Sequence, residues 1–312
     1  TLTLTNGVDY TVTGDDWFVQ IANNHFTGMG RTASGSNQNL DDVSVRVSHS
    51  GSDTTFTRVG SANDCRVDWQ VVQFTDGTRV RAKGVLSGAA TTLSVALPGT
   101  VADAGKVVPF ITGQSGSDGG RNNWHSGLYT AVLNGGNADF TRGRTGCSGF
   151  VSYAIVEFAS EWTVTNEQFN NPSGTNGQNV TIATPVADIA ETFLHCTFRY
   201  DLAGTAGLDE VSVRCSLSAT DTIQTLDTTT TGDADKQHSV WLMQHPDISV
   251  ARYTGTMAGT GEEEIVDVSI AAVADASQTF TTLTNDSTGS GTAFPRGYIN
   301  HLLVGTDTVR IR

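Results

Sequence analysis

The chain has 312 residues and contains few of the features that point to nucleic-acid or membrane partners. Lysine occurs three times, as Lys83, Lys106 and Lys236, and the formal net charge is −14. Nothing in this balance would attract a phosphate backbone or an anionic lipid, so we expect no nucleic-acid partner. No run of 18 apolar residues occurs, so we expect no membrane insertion.

Signal-peptide features and cysteine patterns are also scarce. Residues 1–4 have neither a basic region nor an apolar one, and we therefore expect no signal peptide in this chain. The four cysteines, Cys65, Cys147, Cys196 and Cys215, include no C-x-x-C pair. Four cysteines at this length do not form a disulfide framework, and we expect buried free thiols. A pair formed in an oxidising medium is the alternative.

The residues that are abundant favour β-structure. Threonine occupies 45 positions, and charged residues are only 16% of the chain. Threonine is β-branched and suits pleated, half-exposed surfaces. The hydrophobic fraction is 38%, and the 34 glycines bring the apolar share to an ordinary value for a globular protein. The composition therefore predicts a folded protein rich in strands.

Three sequence markers recur in the same order and reveal an internal repeat. The segment LDDVSVR at 40–46 returns as LDEVSVR at 208–214, an offset of 168. Half of that offset separates Trp69 from Tyr153, which lie in similar apolar segments, and Trp241 follows 88 residues later. The third marker, Val-Ala-Asp before a phenylalanine, begins at residues 101, 186 and 273. A fixed period of this kind indicates a tandem-repeat architecture.

Each unit of about 85 residues shows about six short alternating segments separated by turn residues. This spacing is typical of an antiparallel sandwich or barrel. We therefore predict an all-β protein of four tandem small antiparallel β-sandwich or barrel modules. The predicted modules are residues 1–84, whose start is degenerate, then 85–170, 171–256 and an incomplete module at 257–312.

The fourth copy ends where its aromatic strand should begin, which predicts an unpaired sheet edge. Exposed edges invite pairing with another chain. We expect this edge to be covered by an N-terminal segment such as residues 1–4 or by a neighbouring subunit. The second option predicts a homo-oligomer.

The repeat markers also define candidate structural residues. Aromatic residues at repeated positions inside apolar strands are expected to form the module cores. We take Phe26 as the first copy of Phe110. The predicted core residues are Phe26, Trp69, Phe74, Phe110, Tyr153, Phe158, Phe193, Trp241 and Phe280.

One glycine-rich loop is a candidate binding surface. It carries Arg121, Asn122, Asn123, Trp124 and His125, and an exposed aromatic beside such polar groups can stack on a sugar ring. The same residues can equally fasten the loop onto its own module.

Catalytic and metal-binding patterns are weak. The seven histidines include no H-x-H, H-x-x-x-H or H-E-x-x-H group, so we expect no metal and no cofactor. No segment matches the nucleophile elbow G-x-S-x-G of serine hydrolases. Pairs of Asp or Glu that are adjacent in sequence lie at expected turns or strand edges, where solvation explains them better than a glycosidase carboxylate pair. We therefore expect a non-enzymatic protein.

The repeat has three features in order, namely Val-Ala-Asp before Phe, an arginine-bearing strand and V-x-W-x-V-V-x-F. In these features it resembles the tandem modules of structural proteins of tailed bacteriophages. This resemblance covers most of the chain and carries no catalytic residues. It implies a virion protein on the exterior of the particle, made in the host cytoplasm. The function it implies is a capsid decoration (cement) protein that contacts other virion proteins, such as the major capsid or tail protein.

Two alternatives remain. The first is a tail-associated fibre or adhesin protein that binds host-surface glycan through the loop at 121–125. The second is a polysaccharide depolymerase, which would usually show a β-helix period of about 20–25 residues or a clear carboxylate pair. The period of about 85 disfavours the second alternative.

Overall fold

A computed structural model confirms the predicted all-β class. It describes residues 1–21, 31–32, 44–58, 65–116, 126–144, 147–172, 177–200, 213–226, 235–252, 266–272, 275, 279, 301–304 and 308–311. Within these residues the chain forms antiparallel sheets and no α-helix, consistent with repeated β-sandwich modules.

Module 2 contains six strands and gives the clearest view of the repeated unit. Three strands form what we call its front sheet, in the spatial order first, sixth, third. The other three form its back sheet, in the order second, fifth, fourth. The strands are β8 (Arg79–Gly88), β9 (Thr92–Ala96), β10 (Val107–Gly116), β11 (Tyr129–Asn134), β12 (Asn137–Arg142) and β13 (Gly149–Glu157).

Module 3 repeats this arrangement strand for strand. Its front sheet has the order β14-β19-β16 and its back sheet the order β15-β18-β17. The strands are β14 (Thr163–Asn171), β15 (Gly177–Thr181), β16 (Thr192–Tyr200), β17 (Arg214–Ala219), β18 (Thr222–Leu226) and β19 (Lys236–Gln244).

Modules 1 and 4 show parts of the same plan in the described residues. Module 1 has the back sheet β1-β5-β4, the front pair β2-β7 and a short pair β3-β6. Its strands are β1 (Leu2–Leu4), β2 (Trp17–Ile21), β3 (Arg31–Thr32), β4 (Val45–Ser50), β5 (Asp53–Arg58), β6 (Cys65–Arg66) and β7 (Trp69–Gln73). Module 4 has a back sheet, ordered β20-β22-β21, of β20 (Val266–Ser269), β21 (His301–Val304) and β22 (Thr308–Ile311).

The strand pairing shifts the limits of the modules relative to the sequence period. β8 pairs along its length with β13, and β14 pairs along its length with β19. The limits predicted after residues 84 and 170 therefore fall inside β8 and β14, and the pairings group residues 79–157 and 163–244. The remaining limit, after residue 256, lies outside the described residues.

One of our two expectations placed residues 1–4 on an edge of module 4, but among the described residues they pair with module 1 and with no strand of module 4. Leu2–Leu4 pair with β5 and complete the back sheet of module 1. Polar and apolar residues alternate in this segment, as in a strand with one buried face, and Leu4 points into the core of module 1 and is buried.

The Val-Ala-Asp marker forms a recurring turn that leads into the third strand of a module. The side chains of Asp103 and Asp188 each cap a one-turn 3-10 helix by accepting an N–H two residues later, at 2.8 and 2.7 Å. Thr192 Oγ1 also donates to the carbonyl of Asp188, and Thr279 makes the same bond to Asp275. This polar turn is therefore a structural element of modules 2 and 3, and the described residues of module 4 show its threonine-to-aspartate hydrogen bond.

Candidate functional site: the contacts between modules

The inner and outer faces of the front sheets take part in different clusters. Each of modules 1, 2 and 3 has its own apolar core between front and back sheets. A further cluster, which we call the shared cluster, joins residues of all three modules. Its buried members are Phe18, Val108, Phe110, Ala154, Val156, Phe158, Trp162, Trp241 and Met243. The modules are therefore joined by continuous apolar packing.

The predicted core residues divide between these two kinds of cluster. Trp69 packs against the core of module 1, and Tyr153 is buried in the core of module 2. The other described ones belong to the shared cluster, namely Phe74, Phe110, Phe158, Phe193 and Trp241. Phe26 and Phe280 lie outside the described residues. Most of the repeated aromatics thus hold modules to one another.

Trp241 is not the structural equivalent of Tyr153, although their segments look alike. Tyr153 lies four residues before Glu157, which pairs with the first residue of β10. In module 3 the residue opposite the start of β16 is Gln244, and four residues before it is Val240. Val240 faces the core of module 3, whereas Trp241 points to the opposite face. A shift of one residue exchanges the two faces of a strand.

The same register changes the alignment of Phe26. Trp17 lies opposite Gln73 at the start of β2, and Val107 lies opposite Glu157 at the start of β10, so these two pairs of residues occupy equivalent positions. Three residues further along, Gln20 therefore occupies the position of Phe110.

Side chains of module 3 cover the free edge of the back sheet of module 2. Strand β11 is an edge strand, so one side of its backbone has no strand partner within its sheet. The amide of Ala131 donates to Thr197 Oγ1 at 3.1 Å, and its carbonyl accepts from Ser239 Oγ at 2.8 Å and Trp241 Nε1 at 2.9 Å. Ala131 is fully buried, so these bonds satisfy backbone groups that would otherwise lack partners.

The contact between modules 1 and 2 repeats this arrangement. The amide of Val47, on edge strand β4, donates to Ser152 Oγ at 3.0 Å. Val47 and Ala131 lie opposite Phe56 and Phe140, three residues from equivalent hairpin turns, so the two positions correspond. We call this repeated arrangement the edge-on-face contact.

Gly113 allows a close approach of the backbones in the contact between modules 1 and 2. A Cβ atom at this position would lie 2.6 Å from the carbonyl oxygen of Val45 and 3.0 Å from Ser152 Oγ. Val45 belongs to the edge strand of module 1, so a side chain at Gly113 would push the two modules apart.

A lysine and two aromatic rings form a second group at the same contact. Lys83 Nζ lies 3.3 Å from the ring centroid of Trp17 and donates to the Trp17 carbonyl at 2.9 Å. His49 packs edge-on against the same indole, at 5.1 Å between centroids. Burial lowers the pKa of Lys83 to about 8, although Asp15 and Asp16 oppose the change. Burial and the nearby Lys83 lower the pKa of His49 to about 4.

His195 occupies the contact between modules 2 and 3. Its ring lies 4.7 Å from that of Phe110, and Nε2 accepts the amide hydrogen of Ile111 at 3.4 Å. Burial lowers the pKa of His195 to about 4. The neutral imidazole is therefore part of the packing between these modules.

In modules 2 and 3 the last residue of the sixth strand accepts hydrogen bonds from backbone amides just before the third strand. Glu157 accepts the amides of Ala102 and Asp103 at 2.8 and 2.7 Å, and Gln244 accepts the amide of Ala187 at 3.0 Å. Burial of Glu157 opposes ionisation, but hydrogen bonds from Asp103, Arg81 and Ala102 outweigh it and lower the pKa of Glu157. Glu157 and Gln244 therefore mark equivalent positions and give the correct alignment of modules 2 and 3. The sequence markers do not include this pair.

The proposed binding loop, Arg121 to His125, lies outside the described residues. Across the described part of the chain, no group of three or more His, Cys, Asp or Glu side chains is placed to hold a metal ion. The search of the same residues for a helix long and apolar enough to cross a membrane also finds none.

Comparisons with known proteins identify no relative. No model of a protein family matches the chain, and neither a curated protein nor a solved structure shows significant similarity to it.

Proposed function

We propose that this chain is a non-enzymatic structural protein of a tailed-bacteriophage virion, acting as a decoration protein on the capsid exterior. In this role its modules bridge neighbouring capsid subunits and add contact area that resists internal pressure. Several modules on one chain bind multivalently, so weak individual contacts combine into stable attachment.

The observation that carries the proposal is the edge-on-face contact between successive modules. An edge strand of one module lies against the front sheet of the next, and the shared cluster adds apolar packing. Continuous packing between modules restricts their relative motion more than flexible linkers would. A stiff multi-module protein can hold fixed spacings between the subunits it contacts, which suits a cement role.

Composition supports the same role. A net charge of −14 suppresses non-specific association, while defined sheet surfaces remain available for specific contacts. The resemblance of the repeat markers to tailed-phage structural modules supplies the choice of virion.

The test is to locate the chain on intact particles of the phage that encodes it, by electron cryomicroscopy. We expect density for the modules on the capsid exterior, between capsid subunits. Particles made without the protein should release their DNA at a lower temperature, and added purified protein should restore their resistance. Absence of the chain from purified particles would refute the proposal.

The same images distinguish the adhesin alternative. Density confined to the tail would refute the decoration role and support a fibre or adhesin. A Trp124→Ala variant then provides the next test, because an adhesin that uses this loop should lose glycan binding while still entering the particle.

A further inference from the structure

Cys196 and Cys215 occupy a pair of positions that all three described cores contain. Cys196 is the fifth residue of β16, as Ile111 is of β10 and Ile21 is of β2. Cys215 lies opposite Thr225, at the hairpin position of Ala131 and Val47.

In modules 1 and 2 these positions hold apolar pairs. Ile21 and Val47 share the core of module 1, and Ile111 and Ala131 share the core of module 2. One member of each pair comes from the front sheet and the other from the back sheet. Module 3 alone carries cysteine at both positions.

The two thiols of module 3 belong to the same buried cluster, the core of that module. Cys196 and Cys215 are both buried, at 9% and 4% exposure, and both are free cysteines in this structure. A hydrogen bond with Cys215 and burial together raise the pKa of the Cys196 thiol. The pair therefore resists thiolate formation while module 3 stays closed.

We propose that Cys196 and Cys215 are an oxidation site that forms a disulfide between the two sheets of module 3. The oxidant is a small disulfide such as oxidised glutathione. The two cysteine S–H bonds break and one S–S bond forms, while the two electrons and two protons convert the oxidant to two thiols. The reaction takes place while module 3 folds or opens locally, because its closed core excludes the oxidant.

A bond at this place would stabilise module 3 in an oxidising medium. The loop it closes runs from 196 to 215, about 20 residues, for which chain-entropy arguments predict a substantial stabilisation. A reducing cytoplasm would keep the thiols free, and an oxidising exterior would favour the bond. This inference rests on the geometry of module 3 and does not require the proposed virion role.

The experiment uses the full chain incubated with oxidised glutathione, with and without a low urea concentration that allows local opening. Free thiols are then blocked under denaturing conditions, counted by mass spectrometry and mapped by proteolysis. We expect two of the four thiols to be lost and a peptide containing Cys196 to be linked to one containing Cys215. The melting temperature should rise by roughly 5–10 °C, and a reductant should reverse the rise.

Matched variants test the assignment. Cys215→Ala places the residue of module 2 at this position and should keep all its remaining thiols free. Cys147→Ala removes a buried cysteine elsewhere and should still lose two thiols. Full retention of the four thiols of the unmodified chain, even after refolding in a glutathione redox buffer, would show that the pair is an apolar filler. A linkage involving Cys65 or Cys147 would also overturn the proposal.

Discussion

At the scale of single residues, the contacts between modules depend on small and neutral groups at defined positions. Gly113 permits backbone approach between modules 1 and 2, and His49 and His195 contribute uncharged rings to the packing. Gly113 and His195 gain their roles from neighbours in another module, whereas His49 packs on Trp17 of its own module, near Lys83 of module 2. Substitutions here should therefore affect the assembly of modules more than the core of any one module.

We expect Gly113→Ala to destabilise the protein by about 1–3 kcal/mol, because the new methyl group meets a backbone carbonyl that cannot rotate away. Urea unfolding measures the change. Gly99→Ala is the matched control, since no atom lies within 4 Å of a Cβ there and its φ is not positive. Equal stability of the two variants would contradict the described contact.

Acid should destabilise the protein through the buried histidines. The pKa values of His49 and His195 are about 4 in the folded state, whereas an unfolded histidine takes up a proton near its ordinary value of 6.5. Between these values the unfolded state binds more protons, so stability falls as pH falls from 6.5 towards 4. From pH 7 to 5 the loss should be on the order of 2 kcal/mol for fully buried His195, and smaller for His49.

Urea unfolding at pH 7, 6 and 5 checks this prediction. His49→Gln and His195→Gln should each flatten the dependence of unfolding free energy on pH. Slopes unchanged from that of the unmodified chain in both variants would show that these histidines do not carry the effect.

At the scale of elements, the unusual feature is how the edge strands are satisfied. Side chains of the following module, and not another strand, bond the backbone of β11 at Ala131. Buried backbone groups need partners, and an exposed edge invites unwanted pairing. Covering the edge with a neighbouring module solves both problems and also fixes the arrangement of the two modules.

The two donors to the Ala131 carbonyl should behave non-additively. Ser239→Ala or Trp241→Phe alone leaves one donor in place, and we expect a cost of about 1 kcal/mol for each. The double variant leaves a buried carbonyl without these partners, and its cost should exceed the sum by about 1 kcal/mol or more. A urea double-mutant cycle measures this difference, with Ser218→Ala as an exposed control. Strict additivity would contradict the shared role of the two donors.

The sequence predicts the strands and the repeat well, because alternation and turn residues are local signals. It does not reveal the edge-on-face contact, since Val47 and Ser152 are 105 residues apart and Ala131 and Trp241 are 110 apart. It also assigns Trp241 to the wrong face. The equivalent offset is 87 residues, while the aromatic match gives 88, and a single residue reverses the face.

At the scale of the whole molecule, the shared cluster couples modules that could otherwise unfold separately. The cluster buries side chains from all three modules, for example Phe18 of module 1, Phe158 of module 2 and Met243 of module 3. A substitution in the cluster should therefore weaken several modules together. A substitution in one module's own core should act first on that module.

We expect Phe158→Ala to lower the stability of modules 1, 2 and 3 by about 3–5 kcal/mol, the usual cost of this truncation in a core. Hydrogen exchange read by mass spectrometry should show faster exchange in peptides from β2, β13 and β19 together. Phe56→Ala, in the core of module 1, is the comparison and should accelerate exchange in β2 first. Acceleration confined to module 2 in Phe158→Ala would argue against coupled modules.

The central claim is that the next module covers the free edges of β4 and β11, and residue-resolved amide exchange of Val47 and Ala131 in the native chain tests it most directly. Both amides lie on edge strands and donate to hydroxyls of the following module. The account predicts protection comparable to that of the central strands β5 and β12. Exchange at the rate of a solvent-exposed edge amide would show that the modules do not pack in this way.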